Sequence, residues 1–190
     1  MARFLKFGFI FLFLASSLSA QSFEWSMGLV DAKNEVSIGF SRPVNMKSGD
    51  AVNLYVQSST ECWLYIVVRD SGRNVTVFEN SLLKAGVLYK SNSVQLKSRK
   101  GQEAIYVIVS EDGIKNLDDR IALHKRDNTS RTGRNVVTAV FEFGRSIPVQ
   151  YEKMERPAQI GGNVSNGENS IEGVRYSGTD RYFKTILINY

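Results

Sequence analysis

The stretch that most constrains the fold of this chain runs from Glu61 to Phe78, where two apolar segments flank a short polar turn. In residues 62–68 every side chain is apolar, so both faces of this strand need cover and it is predicted to be central in a sheet. The turn at residues 70–73 contains an Asp, which can bond its own backbone, and Gly72, which accepts a positive φ without steric cost. The stretch therefore predicts a buried β-hairpin.

The single cysteine, Cys62, lies within the first apolar segment. One thiol cannot form an intramolecular disulfide, and its position predicts a buried side chain that packs as a small hydrophobe. The alternatives are a nucleophile or an intermolecular disulfide. A nucleophile would need His124, the only histidine, as its base, and burial makes a thiol inert, so the structural role is favoured.

The first twenty residues have the composition of a secretory signal rather than of a folded segment. Arg3 and Lys6 form a basic start, residues 7–15 are apolar apart from Gly8, and small residues follow up to Ala20. We therefore predict that residues 1–20 are a cleaved signal and that the protein is periplasmic or secreted, with no integral membrane span after cleavage. The alternative is a retained N-terminal anchor.

The charge of the remaining chain argues against a nucleic-acid partner. Removing Arg3 and Lys6 leaves 22 basic against 19 acidic residues, a net charge of +3. Nucleic-acid binding depends on a dense set of cations that neutralise phosphates, which so small an excess does not supply. Hydrophobic residues make up 43% of the chain, which is enough to build one core and excludes disorder for most of it.

Short apolar segments beyond the hairpin predict further strands, with Gly or Ser turns at spacings of about ten residues. Residues 103–110 form a second apolar run and are predicted to lie beside the first. Helical periodicity occurs only at Asp112–Leu123, whereas Asn135–Phe143 is predicted to be a strand. The pattern predicts an all-β fold, an antiparallel β-sandwich with one short helix.

The predicted organisation after the signal is one sandwich domain with a C-terminal extension. The domain covers residues 21–155. Residues 156–170 contain Pro157 and three glycines and are predicted to be a flexible loop. Residues 171–190 form two apolar segments around a turn and are predicted to be a C-terminal β-hairpin packed on the sandwich.

Four motifs in residues 49–125 carry a resemblance to a known family. They are a D-x-V-x-L-x-V strand, an apolar C-W-L-Y-I strand, an Asp-x-Gly turn into V-T-V-F, and a G-x-E-x-I-Y-V-I-V-S strand, at residues 50–56, 62–66, 70–78 and 101–110. This part of the chain resembles DUF4384, a bacterial domain family of unknown function. Glu79 departs from the proline that many members have at that point. The resemblance implies an immunoglobulin-like sandwich and an extracytoplasmic or signalling-associated accessory module.

Residue types that carry catalysis or bind metals are scarce. One His and one Cys cannot supply the three or more such ligands of a zinc site, and the sequence has no serine-hydrolase elbow or phosphate-binding glycine motif. We therefore expect no cofactor, no metal and no enzyme activity. The alternative is an envelope hydrolase with a pair of carboxylates, whose members need not be close in sequence. A carboxylate calcium site also stays open.

The most distinctive polar stretch, residues 124–134, is predicted to be a basic loop. Arginine presents a planar fork of N–H groups that suits carboxylate and phosphate. Its predicted place between a helix and a strand favours a solvated connection, and binding of an anionic partner is the alternative. We predict a non-catalytic accessory or interaction module of the cell envelope, whose partner is an envelope protein or an anionic envelope component. The candidate binding residues are Lys125, Arg126, Arg131 and Arg134.

Overall fold

The computed structural model describes residues 23–96, 101–147, 154–161, 171–178 and 180–190. The predicted signal, residues 1–20, lies outside these ranges. The described chain is mostly β-structure, with two sheets and two helices. In chain order its elements are β1 (Phe23–Asp31), β2 (Ser37–Ile38), β3 (Val44–Asn45), β4 (Ala51–Ser58), β5 (Cys62–Arg69), β6 (Val75–Leu83), β7 (Leu88–Lys90), β8 (Val94–Gln95), β9 (Gln102–Ser110), α1 (Lys115–Asp127), α2 (Ser130–Ser146), β10 (Met154–Ile160), β11 (Ile171–Gly178) and β12 (Arg181–Asn189).

Each sheet combines strands that are distant in the sequence. The first sheet has the order β10-β11-β1-β4-β7, with β2 also on β1 and β8 also on β4, and the second has the order β3-β12-β9-β5-β6. Among the described strands the pairs are antiparallel except that of β3 with β12. The predicted hairpin is confirmed as β5–β6. The predicted pairing of the two apolar runs is confirmed as β5–β9.

The second sheet is the middle layer of three. On β5, Cys62, Leu64 and Ile66 face the core shared with the first sheet, whereas Tyr65 and Val67 belong to the core shared with the helices. Successive side chains of a strand point to opposite faces, so a strand that is covered on both sides is apolar throughout. Two packed sheets agree with the predicted sandwich. The predicted short helix is present as α1, but the sequence did not suggest a second helix or a helical layer.

Cys62 is buried, as predicted. Its side chain is 0% exposed and has no disulfide partner in the chain. Burial is the main cause that raises the pKa of its thiol, so the reactive thiolate is disfavoured. His124 lies on the other side of the second sheet, where its ring bonds Val75 and Thr132. The two residues therefore do not form a Cys/His pair.

Tyr65 attaches the first helix to the second sheet. Its hydroxyl accepts a hydrogen bond from the backbone N–H of Ile114 (2.9 Å) and donates one to Asp118 Oδ2 (3.2 Å). Burial is the main cause that raises the pKa of Tyr65 to about 12, so the phenol keeps its proton at neutral pH. Because the first N–H groups of a helix lack partners within it, this contact fixes where α1 begins.

The strand predicted at Asn135–Phe143 is wrong, because these residues lie in the second helix. Val136, Val140 and Phe143 are buried at spacings of four and three, and they pack on the second sheet. The β-branched and aromatic residues of this segment favour a strand locally. However, its apolar side chains recur at helical spacing and can all pack on the second sheet only if the segment is a helix. Helix propensity differences are small, so tertiary packing overrides them.

The second helix begins with a capping box that has an unusual partner. Thr129 Oγ1 accepts from the backbone N–H of Thr132 (3.2 Å), and Thr132 Oγ1 accepts from the backbone N–H of Thr129 (3.1 Å). The common form of this motif has Glu or Gln in the third helical position, so a Thr there does not stand out in the sequence. The expected basic loop at residues 124–134 is therefore wrong, because a turn of two residues joins two helices.

The predicted C-terminal hairpin is also wrong, although both of its strands exist. β11 pairs with β1 and β10 in the first sheet, whereas β12 pairs with β9 and β3 in the second. The last two strands therefore cross between the sheets and tie them together. The physical reason lies in the core, where Tyr176 of β11 and Tyr182 of β12 both pack against Trp25.

The predicted flexible loop at residues 156–170 overlaps a strand. Residues 156–160 belong to β10, which pairs with β11 over seven residues. β10 lies at the edge of the first sheet, so its outer side has no neighbouring strand of the described chain to which an N–H could donate. A proline, which has no N–H, is tolerated in such a strand. Residues 162–170 of this predicted loop lie outside the described chain.

Candidate functional site

The four cations predicted to act together are divided between two helices. Lys125 and Arg126 lie in the last turn of α1, and Arg131 and Arg134 follow the start of α2. Asn128 ends α1 in a left-handed conformation (φ 44°), and its N–H donates to the carbonyl of His124 (2.8 Å). The chain reverses sharply there, so the four side chains point to different surroundings.

Two of these cations already have partners on the surface. Lys125 Nζ donates to Asn80 Oδ1 (2.5 Å), and Arg126 Nε pairs with Asp127 Oδ1 (2.7 Å). Arg131 is exposed on α2. Arg134 lines a cavity, which it shares with arginines from elsewhere in the chain. A binding role for the four residues as a group stays a prediction.

The cavity beside Arg134 has a volume of about 270 Å³ and lies between the second sheet and α2. Six residues of the described chain line it; three of these are arginines and none is acidic. Within the described chain, none of the three arginines forms an ion pair with a carboxylate. We call this site the arginine cavity, and its lining residues are Arg69, Arg73, Val75, Arg134, Val137 and Thr138.

Arg69 lines the cavity because its side chain points to the helix-facing side of β5. The helix-facing row of this strand contains Trp63, Tyr65 and Val67, and the next position in that row is Arg69. The strand ends there, so the side chain leaves the apolar core at its rim. Burial raises the pKa of the Tyr106 phenol, and the positive charge of Arg69 opposes that rise. Arg69 lines the cavity together with Val137 and Thr138 of α2, so it lies on the helix side.

Arg73 enters the cavity from the turn between β5 and β6, in a left-handed conformation (φ 66°). The expectation that Gly72 takes the positive φ of this turn is therefore wrong. Hydrogen bonds hold the turn closed: Arg73 N–H donates to the carbonyl of Asp70 (2.9 Å), and Asn74 N–H donates to Asp70 Oδ1 (2.8 Å). A left-handed conformation costs an L-residue about 1–2 kcal/mol, so arginine at this position lowers the stability of the turn relative to glycine.

Arg134 belongs to the first half of α2, and Val137 and Thr138 lie one turn further along the same face. The helix comes close to β6 at Gly133, where a Cβ atom would lie 3.1 Å from Cβ of Val75. Buried His124 reinforces this approach, because its Nε2 bonds the carbonyl of Val75 (3.0 Å). The backbone under the arginine cavity is therefore held by packing and by a hydrogen bond.

A larger cavity of about 320 Å³ lies at the other end of α2, and we call it the Glu142 cavity. Glu142 and Asp112 both line it, but Asn116 Nδ2 donates to Glu142 Oε2 (3.2 Å). Arg181 also lines it and pairs with Asp180 (3.2 Å). Both signs of charge are present, so its electrostatic preference is weaker than that of the arginine cavity.

The arginine cavity can bind an anion, but it has no group suited to proton transfer. Guanidinium groups stay protonated in proteins and donate forked hydrogen bonds to carboxylate and phosphate. The other lining residues are two valines and Thr138, whose hydroxyl donates to the carbonyl of Arg134 (3.0 Å). Elsewhere in the described chain, no three His, Cys, Asp or Glu side chains are grouped so that they could hold a metal ion.

Sequence reasoning found Arg134 but missed Arg69 and Arg73. Two signals for them exist in the sequence. Arg69 ends an apolar strand in the same phase as its helix-facing residues, and Arg73 follows a glycine in the turn. Neither signal shows that α2 covers that end of the sheet, so the meeting of the three arginines depends on the tertiary structure.

Comparison of the chain with protein-family models, with curated proteins and with solved structures found no match. The resemblance to DUF4384 therefore stays a prediction. The helices of the described chain are too short or too polar to cross a membrane.

Proposed function

We propose that this chain is a non-catalytic interaction module of the cell envelope that recognises an anionic partner through the arginine cavity. The module is periplasmic or secreted after removal of its signal, and its two packed sheets form an immunoglobulin-like sandwich of the DUF4384 type. The partner is an envelope protein or another anionic envelope component. The single observation that supports the proposal most strongly is the presence of three arginines around one cavity that no acidic residue of the described chain lines.

The cost of this arrangement supports a functional role. Like charges that line one cavity repel one another, and the conformation of Arg73 adds local strain. Neither feature stabilises the fold, and residues in unfavourable backbone conformations concentrate at functional sites. The three cations also come from a strand, a turn and a helix, so a rigid scaffold fixes where they stand before a ligand arrives.

Two triple variants with the same loss of charge test the proposal. In the first, Arg69, Arg73 and Arg134 become glutamine; in the second, Lys125, Arg126 and Arg131 do. We expect the first to lose the binding of inorganic phosphate, pyrophosphate and acetate, measured by NMR titration of the backbone amide signals of Val75, Val137 and Thr138, whereas the second binds like the wild type. Binding should weaken as ionic strength passes ~0.15 M, where the screening length is about 8 Å.

Thermal unfolding serves as the control for both triple variants. Five of the six substituted residues are exposed and Arg69 is half-buried. Charges in such positions contribute little to stability, so each variant should change the free energy of unfolding by less than about 1 kcal/mol. Equal anion binding by the two variants would contradict the assignment of the arginine cavity. It would leave only the weak attraction that any positively charged surface exerts.

A single substitution, Arg73→Gly, separates function from stability. Glycine removes the cost of the left-handed conformation, about 1–2 kcal/mol. It also loses more conformational entropy on folding, which destabilises the folded state by about 0.5–1 kcal/mol. We therefore expect urea unfolding to show unchanged or slightly higher stability while anion binding weakens. The matched variant Arg73→Gln should lose the same binding without a gain in stability. A glycine variant that is destabilised, or that binds normally, would show that Arg73 serves the turn rather than a ligand.

A second candidate function is an envelope hydrolase that uses the carboxylates of Asp112 and Glu142. The observation that favours it is that both side chains line the Glu142 cavity. However, both residues are exposed, whereas active sites generally exclude water. Turnover of a substrate by the pure protein, lost in the variant Asp112→Asn/Glu142→Gln, would place this function first.

A further inference from the structure

We infer that the ligand group of the arginine cavity is a phosphate monoester joined to a short apolar stem. This inference rests on the proposed function, because it names the kind of anion that the same site would take. It combines three properties of the cavity, which are the charge of its arginines, the apolar side chains between them and its size.

Charge and acceptor number favour a phosphate monoester over a carboxylate. A carboxylate carries one negative charge on two oxygens, so it leaves at least one of three guanidinium forks without a charged acceptor. A phosphate monoester carries about −1.5 to −2 at pH 7 and presents three acceptor oxygens. Arg69, Arg73 and Arg134 approach the cavity from three different elements. Three acceptors on a tetrahedral group suit three directions better than two acceptors in one plane.

The valines indicate that the phosphate does not arrive alone. Val75 and Val137 line the same cavity as the three cations, and each leaves a small part of its surface exposed, 8% and 9%. A free phosphate ion would leave this apolar part of the cavity in water and gain nothing from it. A carbon stem on the phosphate would cover the valines, and burial of apolar area contributes about 25 cal/mol per Å².

The size of the cavity limits the stem to a small group. Ligand sites commonly have volumes of about 300–1,000 Å³, and the arginine cavity has about 270 Å³. It therefore suits one phosphate with a few carbon atoms, either as a whole small molecule or as the end group of a larger one. A lipid headgroup and a free phosphorylated metabolite share this chemistry.

The test compares small probes on the purified full chain by calorimetric titration at pH 7.5 and low salt. We expect phenyl phosphate to bind at least tenfold more tightly than benzoate and at least threefold more tightly than inorganic phosphate. Val137→Thr keeps the side-chain shape and replaces one methyl group with a hydroxyl. This variant should reduce the ratio by which phenyl phosphate binds more tightly than inorganic phosphate.

Two further measurements identify the source of the phosphate. If the protein binds vesicles of phosphatidic acid in phosphatidylcholine, and phenyl phosphate competes with this binding, the ligand is a lipid headgroup. Phenyl phosphate binding without vesicle binding supports a free phosphorylated molecule. Both outcomes agree with the inference, and Arg69→Gln/Arg73→Gln/Arg134→Gln should abolish either one.

Each failure has a different meaning. If benzoate binds as tightly as phenyl phosphate, the phosphate assignment is overturned while the proposed anion binding survives. If inorganic phosphate binds as tightly as phenyl phosphate, the apolar stem is overturned. If no probe binds the wild type, or if the cavity variant binds them equally well, both the inference and the proposed function fail.

Discussion

Replacing Trp25 with alanine should lower the free energy of unfolding by about 3–5 kcal/mol, the range for truncating a large buried aromatic side chain. Trp25 is 2% exposed and stacks on Tyr176, with ring centroids 4.5 Å apart. It also meets the edge of Tyr182, again at 4.5 Å. Tyr182 belongs to the second sheet and Trp25 to the first, so the substitution removes packing that joins the two layers.

Urea denaturation followed by circular dichroism measures this loss, and the other tryptophan provides a matched control. Trp63 is only half-buried, and its ring centroid lies 6.3 Å from that of Tyr65. Trp63→Ala should therefore cost less than half as much as Trp25→Ala. Equal losses would mean that neither the deeper burial of Trp25 nor its three-ring cluster adds to stability.

Replacing Gly173 with alanine should destabilise the protein by about 3 kcal/mol, at the upper end of what overpacking usually costs. A Cβ atom at this position would lie 2.5 Å from the carbonyl oxygen of Met27 on the neighbouring strand β1. The obstacle is backbone, so no side-chain rotation can relieve the contact. Strand β11 would have to move away from β1, and that movement disturbs the register of the first sheet.

Gly178 at the end of the same strand is the control for Gly173. A Cβ atom there would meet nothing within 4 Å, so Gly178→Ala should leave the unfolding midpoint nearly unchanged. Thermal unfolding of the two variants side by side makes the comparison. If Gly173→Ala unfolds like Gly178→Ala, the two strands are not packed as closely as the structure indicates.

The sequence alone was sufficient where the signals were local and agreed with one another. The apolar run of β5, the polar turn after it and the second run of β9 each specify a strand or a turn, and a strand without polar side chains needs cover on both faces. The burial of Cys62 follows from the same run. These features depend on residues that are close together in the chain, so their physical cause is visible in the sequence.

Local signals were insufficient where two structures suit the same residues. The segment at Asn135–Phe143 is rich in β-branched and apolar residues. It is helical because its apolar side chains at helical spacing pack on the apolar face of the second sheet that the first sheet does not cover. The segments of β11 and β12 suit a hairpin equally well. They lie in different sheets, where β11 pairs with β1 and β12 pairs with β9, because Tyr176 and Tyr182 both pack against Trp25 in the core.

The candidate site was the feature least accessible from the sequence. A cluster of cations in residues 124–134 is visible there, but helix formation directs Lys125 and Arg126 away from Arg134. Arg69 and Arg73 join Arg134 only because α2 packs over the end of β5. Cations that lie far apart in the chain do not form a recognisable cluster in the sequence. Only the tertiary structure brings these three arginines to one cavity.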